Sequence, residues 1–368
     1  MPDQPSTLSD EARALLALHL VPGLGSRLTS ALLERFGSAQ AVLGAPPSQW
    51  LEIPYLGHKV VEHMAAARDG KAVTGEIALL EKHDVQLLIR GQANYPPDLG
   101  QLPDPPPVLY MRGTLLEADR KAVALVGSRR CTAYGRRLTE QLATGLVRAG
   151  YAVISGLARG IDGVAHRAAL HAGGRTIAVL AGGLSKIYPP EHADLARDVQ
   201  AAGALITESP LLMEPMAGMF PARNRLISGM CRAVVVVEAA ARSGALITAS
   251  HAADQGRHVL ACPGPVDSLA SSGTNALIRD GAILARGIED VLEELEGVKV
   301  AKPASTTPAP NLEGLHKQLW DLLGDKPRHI DDLVESSQVS LPQVAGALVL
   351  LEMKKHLRRL PGNLYERV

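Results

Sequence analysis

The stretch Ala122-Val-Ala-Leu-Val-Gly-Ser-Arg-Arg130 decides the fold. Its five apolar residues show no polar alternation, the pattern of a strand buried on both faces. A glycine turn with two arginines follows at once, and a helical apolar period starts after it. The same order recurs along the chain. Residues 151–154 lead into Ser155-Gly-Leu-Ala-Arg-Gly-Ile-Asp162, Phe220-Pro-Ala-Arg-Asn-Arg225 opens a further helix, and Arg242-Ser-Gly-Ala245 another. Apolar runs at 176–181, 204–207, 233–238 and 258–261 alternate with helical patterns up to about residue 295. Alternating strands and helices predict an α/β domain with a parallel sheet covered on both sides.

In such a sheet the turns after the strands gather along one edge, beyond the carboxyl ends. Helix N-termini there present free N–H groups to anions, and arginine adds charge and a fork of donors. Several anion sites side by side point to a polyanion. The chain as a whole is neutral, with 38 basic and 38 acidic residues. Residues 121–175, however, hold nine Lys/Arg against two acids, Glu140 and Asp162. A concentrated positive field binds nucleic acid even when net charge is zero.

Cys131, Cys231 and Cys262 lack metal or disulfide spacing and read as thiols of a reducing compartment. No apolar run reaches membrane-spanning length, and the polar residues 1–10 do not read as a signal peptide. The expectation is a cytoplasmic protein. With aromatic residues at 3%, any base stacking falls to very few rings.

Outward from the core, residues 1–84 read as a helical front domain. Pro22-Gly-Leu-Gly-Ser26 and Ile53-Pro-Tyr-Leu-Gly57 resemble two helix-hairpin-helix turns, the second with Tyr55 in place of the first glycine. Either they hold DNA phosphates or the module serves packing alone. Residues 85–90 predict a strand, 95–107 an irregular proline-rich segment, and 108–111 an edge strand. Residues 300–311 read as a linker by composition. Residues 312–368, with three helical periods and a hairpin at 357–360 and 364–365, suggest a winged helix. The sheet domain then occupies 85–299.

The ordered motifs Val126-Gly-Ser-Arg129, Ser155 to Asp162, Ile187-Tyr-Pro-Pro-Glu191, Phe220-Pro-Ala-Arg-Asn-Arg-Leu-Ile227, Ser243-Gly-Ala-Leu-Ile-Thr248 and Gly273-Thr-Asn275 resemble the DNA-processing protein A (DprA/Smf) family. The resemblance covers nearly the whole chain. It implies an extended Rossmann-like core that binds single-stranded DNA as a homodimer, protects incoming DNA and helps load RecA recombinase during natural transformation. It implies no catalytic residue, cofactor or metal.

The candidate DNA-binding residues are Gly127, Ser128 and Arg129 in the first turn, and Gly156, Arg159 and Gly160 in the second. Phe220, Arg223, Asn224 and Arg225 form the third group, and Ser243, Gly244 and Thr248 the fourth. Each has a plainer alternative. Arg129 contacts phosphate or is a surface residue after a tight turn. Phe220 stacks a base or anchors its helix in the core. Asn224 reads a base edge or caps the helix, and Arg225 holds phosphate or pairs with Glu238. Ser243 and Thr248 bind phosphate or cap. Asp162 reads as a helix N-cap, with a pairing to His166 one turn later as the less favoured alternative. Lys186 and Tyr188 are weaker candidates, and the basic run Lys354, Lys355, Arg358 and Arg359 reads as a solvated face.

Two enzyme classes compete on the same fold. A dinucleotide fingerprint requires Gly-x-Gly-x-x-Gly after the first strand, where this chain has Gly127-Ser-Arg-Arg-Cys-Thr132. A nucleotide phosphoribohydrolase resembling lysine-decarboxylase-like proteins requires a Pro-Gly-Gly-x-Gly-Thr loop with a following glutamate. The corresponding Glu238-Ala-Ala-Ala-Arg-Ser-Gly-Ala245 supplies neither the double glycine nor the acid.

Overall fold

The helical period at the front of the chain becomes six helices in the structure, a computed structural model that describes residues 8–297, 312–324, 327–354, 356–360 and 362–367. They are α1 (Asp10–His19), α2 (Ser26–Phe36), α3 (Ala39–Gly44), α4 (Pro47–Trp50), α5 (His58–Ala67) and α6 (Lys71–Lys82). Ser9 and Ser38 cap α1 and α3 by accepting from backbone N–H groups, which satisfies donors that have no partner within the helix. The two glycine turns adopt one conformation. Gly23 and Tyr55 both have positive φ, 85° and 69°, and Gly25 and Gly57 both precede a helix start, of α2 and α5. Tyr55 therefore takes a backbone conformation that favours glycine, and its ring points into solvent, 94% exposed.

The sheet domain begins with β1 (Gln86–Ile89), α7 (Pro97–Gly100) and β2 (Val108–Gly113), followed by β3 (Ala122–Gly127), α8 (Ala133–Arg148), β4 (Ala152–Ser155), α9 (Ile161–His171) and β5 (Thr176–Val179). It continues through α10 (Ala193–Ala202), β6 (Ala204–Thr207), α11 (Met219–Gly229), β7 (Ala233–Glu238), α12 (Gly244–Asp254), β8 (His258–Ala261), α13 (Ser272–Arg279), β9 (Ile283–Leu284) and α14 (Ile288–Glu296). Among the described residues, nine strands form one sheet in the order β1-β2-β6-β5-β4-β3-β7-β8-β9. Strands β3 to β9 run parallel, while β1 and β2 are antiparallel additions.

Successive strand residues face opposite sides, and both sides are buried. On β3, Ala122, Ala124 and Val126 pack towards α11 and α12, whereas Val123 and Leu125 pack towards α8 and α9. The front helices share a core with Leu87, Ile89, Val108 and Tyr110 of the antiparallel end. This explains one correction. Residues 108–111 were expected at an edge, but β2 lies inside the sheet between β1 and β6, and its first four residues are buried. The neighbour that buries it, β1, pairs with it across a proline-rich excursion.

The chain divides into two units, Met1–Val300 and Ala301–Val368. The second contains α15 (Gly314–Leu323), β10 (Arg328–His329), α16 (Ile330–Ser337), α17 (Leu341–Met353), β11 (Leu357–Leu360) and β12 (Leu364–Arg367). Its three helices and antiparallel sheet, ordered β10-β12-β11, form a winged helix around Leu319, Leu333, Leu348 and Leu357. Strand β10 was not read from the sequence. The linker expected at 300–311 and Lys355 of the basic run lie outside the described residues. No helix among the described residues is long and apolar enough to cross a membrane.

Candidate nucleic-acid interface

The strand order reverses between β3 and β7, so the chains leaving these two strands diverge and open a crevice at their carboxyl ends. An open cleft of about 810 Å³ lies there. Its walls come from the turn after β3 (Gly127 to Arg130), the start of α11 (Phe220, Arg223, Asn224) and the turn after β7 (Arg242 to Gly244). Sequence segments more than a hundred residues apart meet in one groove, as the repeated strand–glycine–arginine pattern led us to expect.

The turns are fixed by one another. Ser128 donates its N–H to Glu238 O at 2.7 Å and accepts from Ile161 N at 3.1 Å, while its hydroxyl accepts from Arg130 N at 3.1 Å. Gly160 has φ of 73°, and a Cβ there would stand 2.1 Å from Ser128 O. The glycine thus lets the second turn close on the first. Asp162 is not the N-cap expected of it; Gly160 holds that position. Its carboxylate reaches back to accept from Gly156 N at 3.1 Å and Ala158 N at 3.3 Å, bracing the loop from within. Burial raises the Asp162 pKa, and the nearby Arg223 opposes that shift. His166 takes no part in a pair with Asp162. Its Nδ1 contacts Thr176 Oγ1 at 2.7 Å, and burial pushes its pKa down to about 3, so the ring is neutral.

Four exposed or half-exposed groups remain at the rim. The Arg129 guanidinium lies 5.0 Å from the centre of the Phe220 ring. Phe220 meets Tyr188 edge-on, with centroids 5.7 Å apart, and Arg159 stands 6.0 Å from the Tyr188 ring. Cation–π contacts of this kind orient a guanidinium without neutralising it. Arg159 also bridges to Glu191, which compensates part of its charge, whereas no ion pair engages Arg129 among the described residues. The result is an aromatic pair flanked by two cations, with one ring edge open to solvent: Tyr188 is 41% exposed.

The other two arginines of the third motif face inward. Arg223 is buried and donates to Gly156 O at 2.9 Å, to Val179 O and to Asn224 Oδ1 at 3.2 Å; burial lowers its pKa to about 10. Arg225 pairs with Glu208 and, at 3.3 Å, with Asp104, and donates to Ser26 Oγ at 3.2 Å. The alternative pairing with Glu238 is not formed, because Glu238 accepts from Thr132 N and Oγ1 at 2.8 and 2.7 Å. Asn224 donates to Gly244 O at 3.2 Å and ties α11 to α12. Arg223, Asn224 and Arg225 thus hold the cleft's shape, their side chains engaged by partners within the fold. Ser243 caps α12 through Ala245 N, Thr248 is buried in the cleft wall, and a Cβ at Gly244 would meet open space.

Arg242, Pro215 and Ala217 also line the cleft; Arg242 was read as part of the fourth turn but not among the candidate residues, and Pro215 and Ala217 were missed. Arg242 was readable from its place after β7, beside Ser243. Pro215 and Ala217 carry no motif of their own, and only the tertiary fold brings them to the groove. Among the described residues no cluster of His, Cys, Asp and Glu suits a metal ion.

Residues 86–296 match a family described as DNA recombination-mediator protein A, and residues 303–363 match the DprA winged helix domain. Protein Smf of Escherichia coli (strain K12) is 39% identical over 300 residues, 80% of this chain and 80% of its own length. The solved DNA processing protein A of Streptococcus pneumoniae is similar with a TM-score of 0.68 and 32% identity, over 77% of this chain and 97% of that one. DNA processing protein A of Helicobacter pylori, a structure described for its single-stranded DNA binding mode, has a TM-score of 0.53 and 29% identity, over 58% of this chain and 96% of that one.

Proposed function

The chain belongs to the DNA recombination-mediator protein A (DprA/Smf) family, and on that premise we propose that its cleft binds single-stranded DNA, with Arg129 on phosphate and the Phe220–Tyr188 pair against a base. The observation that carries this reading is the Arg129–Phe220–Tyr188–Arg159 cluster on the rim of the sheet's carboxyl edge. Cations beside aromatic faces suit a strand whose bases are unstacked and whose backbone is charged. A duplex hides its base faces, so the same rim offers it only electrostatics. In this reading Gly127, Ser128, Gly156, Gly160, Ser243, Gly244 and Thr248 shape the groove, and Arg223, Asn224 and Arg225 act through position. The protein is a binding mediator and not an enzyme.

The reading extends to the finer biology that the family resemblance implies. The protein protects incoming single strands in the cytoplasm and helps load RecA during natural transformation, as a homodimer. Support for dimerisation is the exposed apolar surface of the C-terminal part of the sheet domain, where Val266 and Leu269 after β8 are 96% and 83% exposed and Leu284 on the edge strand β9 is 42% exposed. Two copies of one anion site would then act on a single strand through effective concentration. The working anatomy is a helical front domain (1–84), the sheet domain (85–299), a linker (300–311) and the winged helix (312–368).

The test is a gel shift on single- and double-stranded DNA of equal length. Tighter binding of the single strand is expected. Equal or tighter binding of the duplex would overturn the reading.

A further inference from the structure

The segment between β6 and α11, residues 208–218, borders the cleft through Pro215 and Ala217. It is held firmly. Gly183 N donates to Met213 O at 2.8 Å, Ser185 N to Leu211 O at 3.1 Å, and Met219 N to Met216 O at 2.9 Å. Leu211 N donates to Glu76 Oε1 at 2.8 Å, which ties the segment to α6. A Cβ at Gly182 would lie 2.9 Å from Pro215, and one at Gly183 2.2 Å from Leu211 O. Only two glycines let the segment lie so close to the turn after β5.

A segment fixed this well still leaves Met213 38% and Met216 60% exposed. Met216 stands in sequence between Pro215 and Ala217, which line the cleft together with Tyr188 and Phe220. The sole charged residue from 209 to 220 is Glu214, and Lys186 pairs with it, so the rim does not repel a polyanion. Methionine is unbranched and polarisable, and it packs against π-faces of any shape. We propose that Met213 and Met216 form a second base-holding surface, against which the nucleobase next to the one on Phe220 and Tyr188 packs. The proposal rests on the single-strand reading of the cleft. Its occupant is a nucleobase of the same strand because Pro215 and Ala217, on either side of Met216, line the groove, and the exposed thioether side chains are apolar and offer no sequence-reading donor.

The experiment compares the full-length wild type with a Met213→Ser, Met216→Ser double variant and a Met213→Leu, Met216→Leu double variant. Affinity is measured on labelled oligothymidine and on a strand of the same length made of abasic sites. For the serine variant we expect a loss of about threefold to tenfold on oligothymidine, from the apolar packing that serine does not supply. No loss is expected on the abasic strand, and the leucine variant should stay within about twofold of wild type. An unmoved serine variant on oligothymidine, or an equal loss on both strands, overturns this inference while leaving the single-strand reading intact. A wild type that binds neither strand overturns both. A serine variant with normal DNA affinity that fails to engage a protein partner would reassign the surface to that partner and overturn the base contact.

Discussion

At the scale of single residues, the four candidate arginines, two in glycine turns and two within α11, have two different fates. Arg129 and Arg159 stand at the rim, while Arg223 and Arg225 turn inward and serve as struts. Their exposure separates binding effects from stability effects. Phe220→Ala should weaken single-strand binding by about 1–3 kcal/mol, the worth of a stacked base. The salt slope should hold, because a ring releases no counterion. Anisotropy titrations at several salt concentrations check this, with a thermal melt to confirm that the fold is intact. Arg225→Ala should instead destabilise folding by about 3 kcal/mol, the low end of the cost of removing one partner of a buried pair. It leaves Glu208 facing its neighbours without a cation. Burial already raises the Glu208 pKa, and Arg225 is the main group opposing that shift. Without Arg225 the carboxyl moves up further, so protonation relieves the variant as pH falls. Urea melts should show the largest stability gap between variant and wild type near pH 7 and a smaller one near pH 5.

At the scale of elements, the sheet was legible because strands buried on both faces are unbroken apolar runs. The observed β6, β7 and β8 coincide with runs read from the sequence at 204–207, 233–238 and 258–261. Strand β2 was legible as a strand and not as an interior one, since what buries it is β1 and the front helices, which no local pattern announces. The groove's position was legible from turn chemistry. The direction of the Arg223 and Arg225 side chains was not, because it depends on Val179, Glu208 and Asp104 arriving from other strands and loops. Tyr55 shows the converse: a non-glycine residue keeps the turn because its side chain has open solvent to occupy. The docking of α1 on the sheet has its own pH signature. His19 is buried against Tyr110 and its pKa falls from the ordinary 6.5 to about 4. A depressed folded-state pKa gives stability that is complete above the unfolded value and lost as pH falls through the folded one. Stability should therefore decline from about pH 6.5 towards pH 4. His19→Gln should flatten that decline in part, since His166 contributes a similar slope down to about pH 3. Thermal melts across this range measure it.

At the scale of the whole molecule, a net charge of zero conceals a cationic edge, and the winged helix forms a unit distinct from the sheet domain. If the sheet domain carries the proposed dimer, a chain truncated near Leu295 should still dimerise and bind single strands, more weakly if the removed part adds contacts. Light scattering and a gel shift on that chain decide this; a monomer without DNA binding would move both functions into the tail. The central claim is that the strand lies along the rim with its phosphate on Arg129. Its most direct test is the salt dependence of single-strand affinity for wild type and Arg129→Ala side by side. Loss of one phosphate contact should lower affinity for every sequence and reduce the log–log slope by about 0.7. Unchanged affinity and unchanged slope in Arg129→Ala would contradict the account.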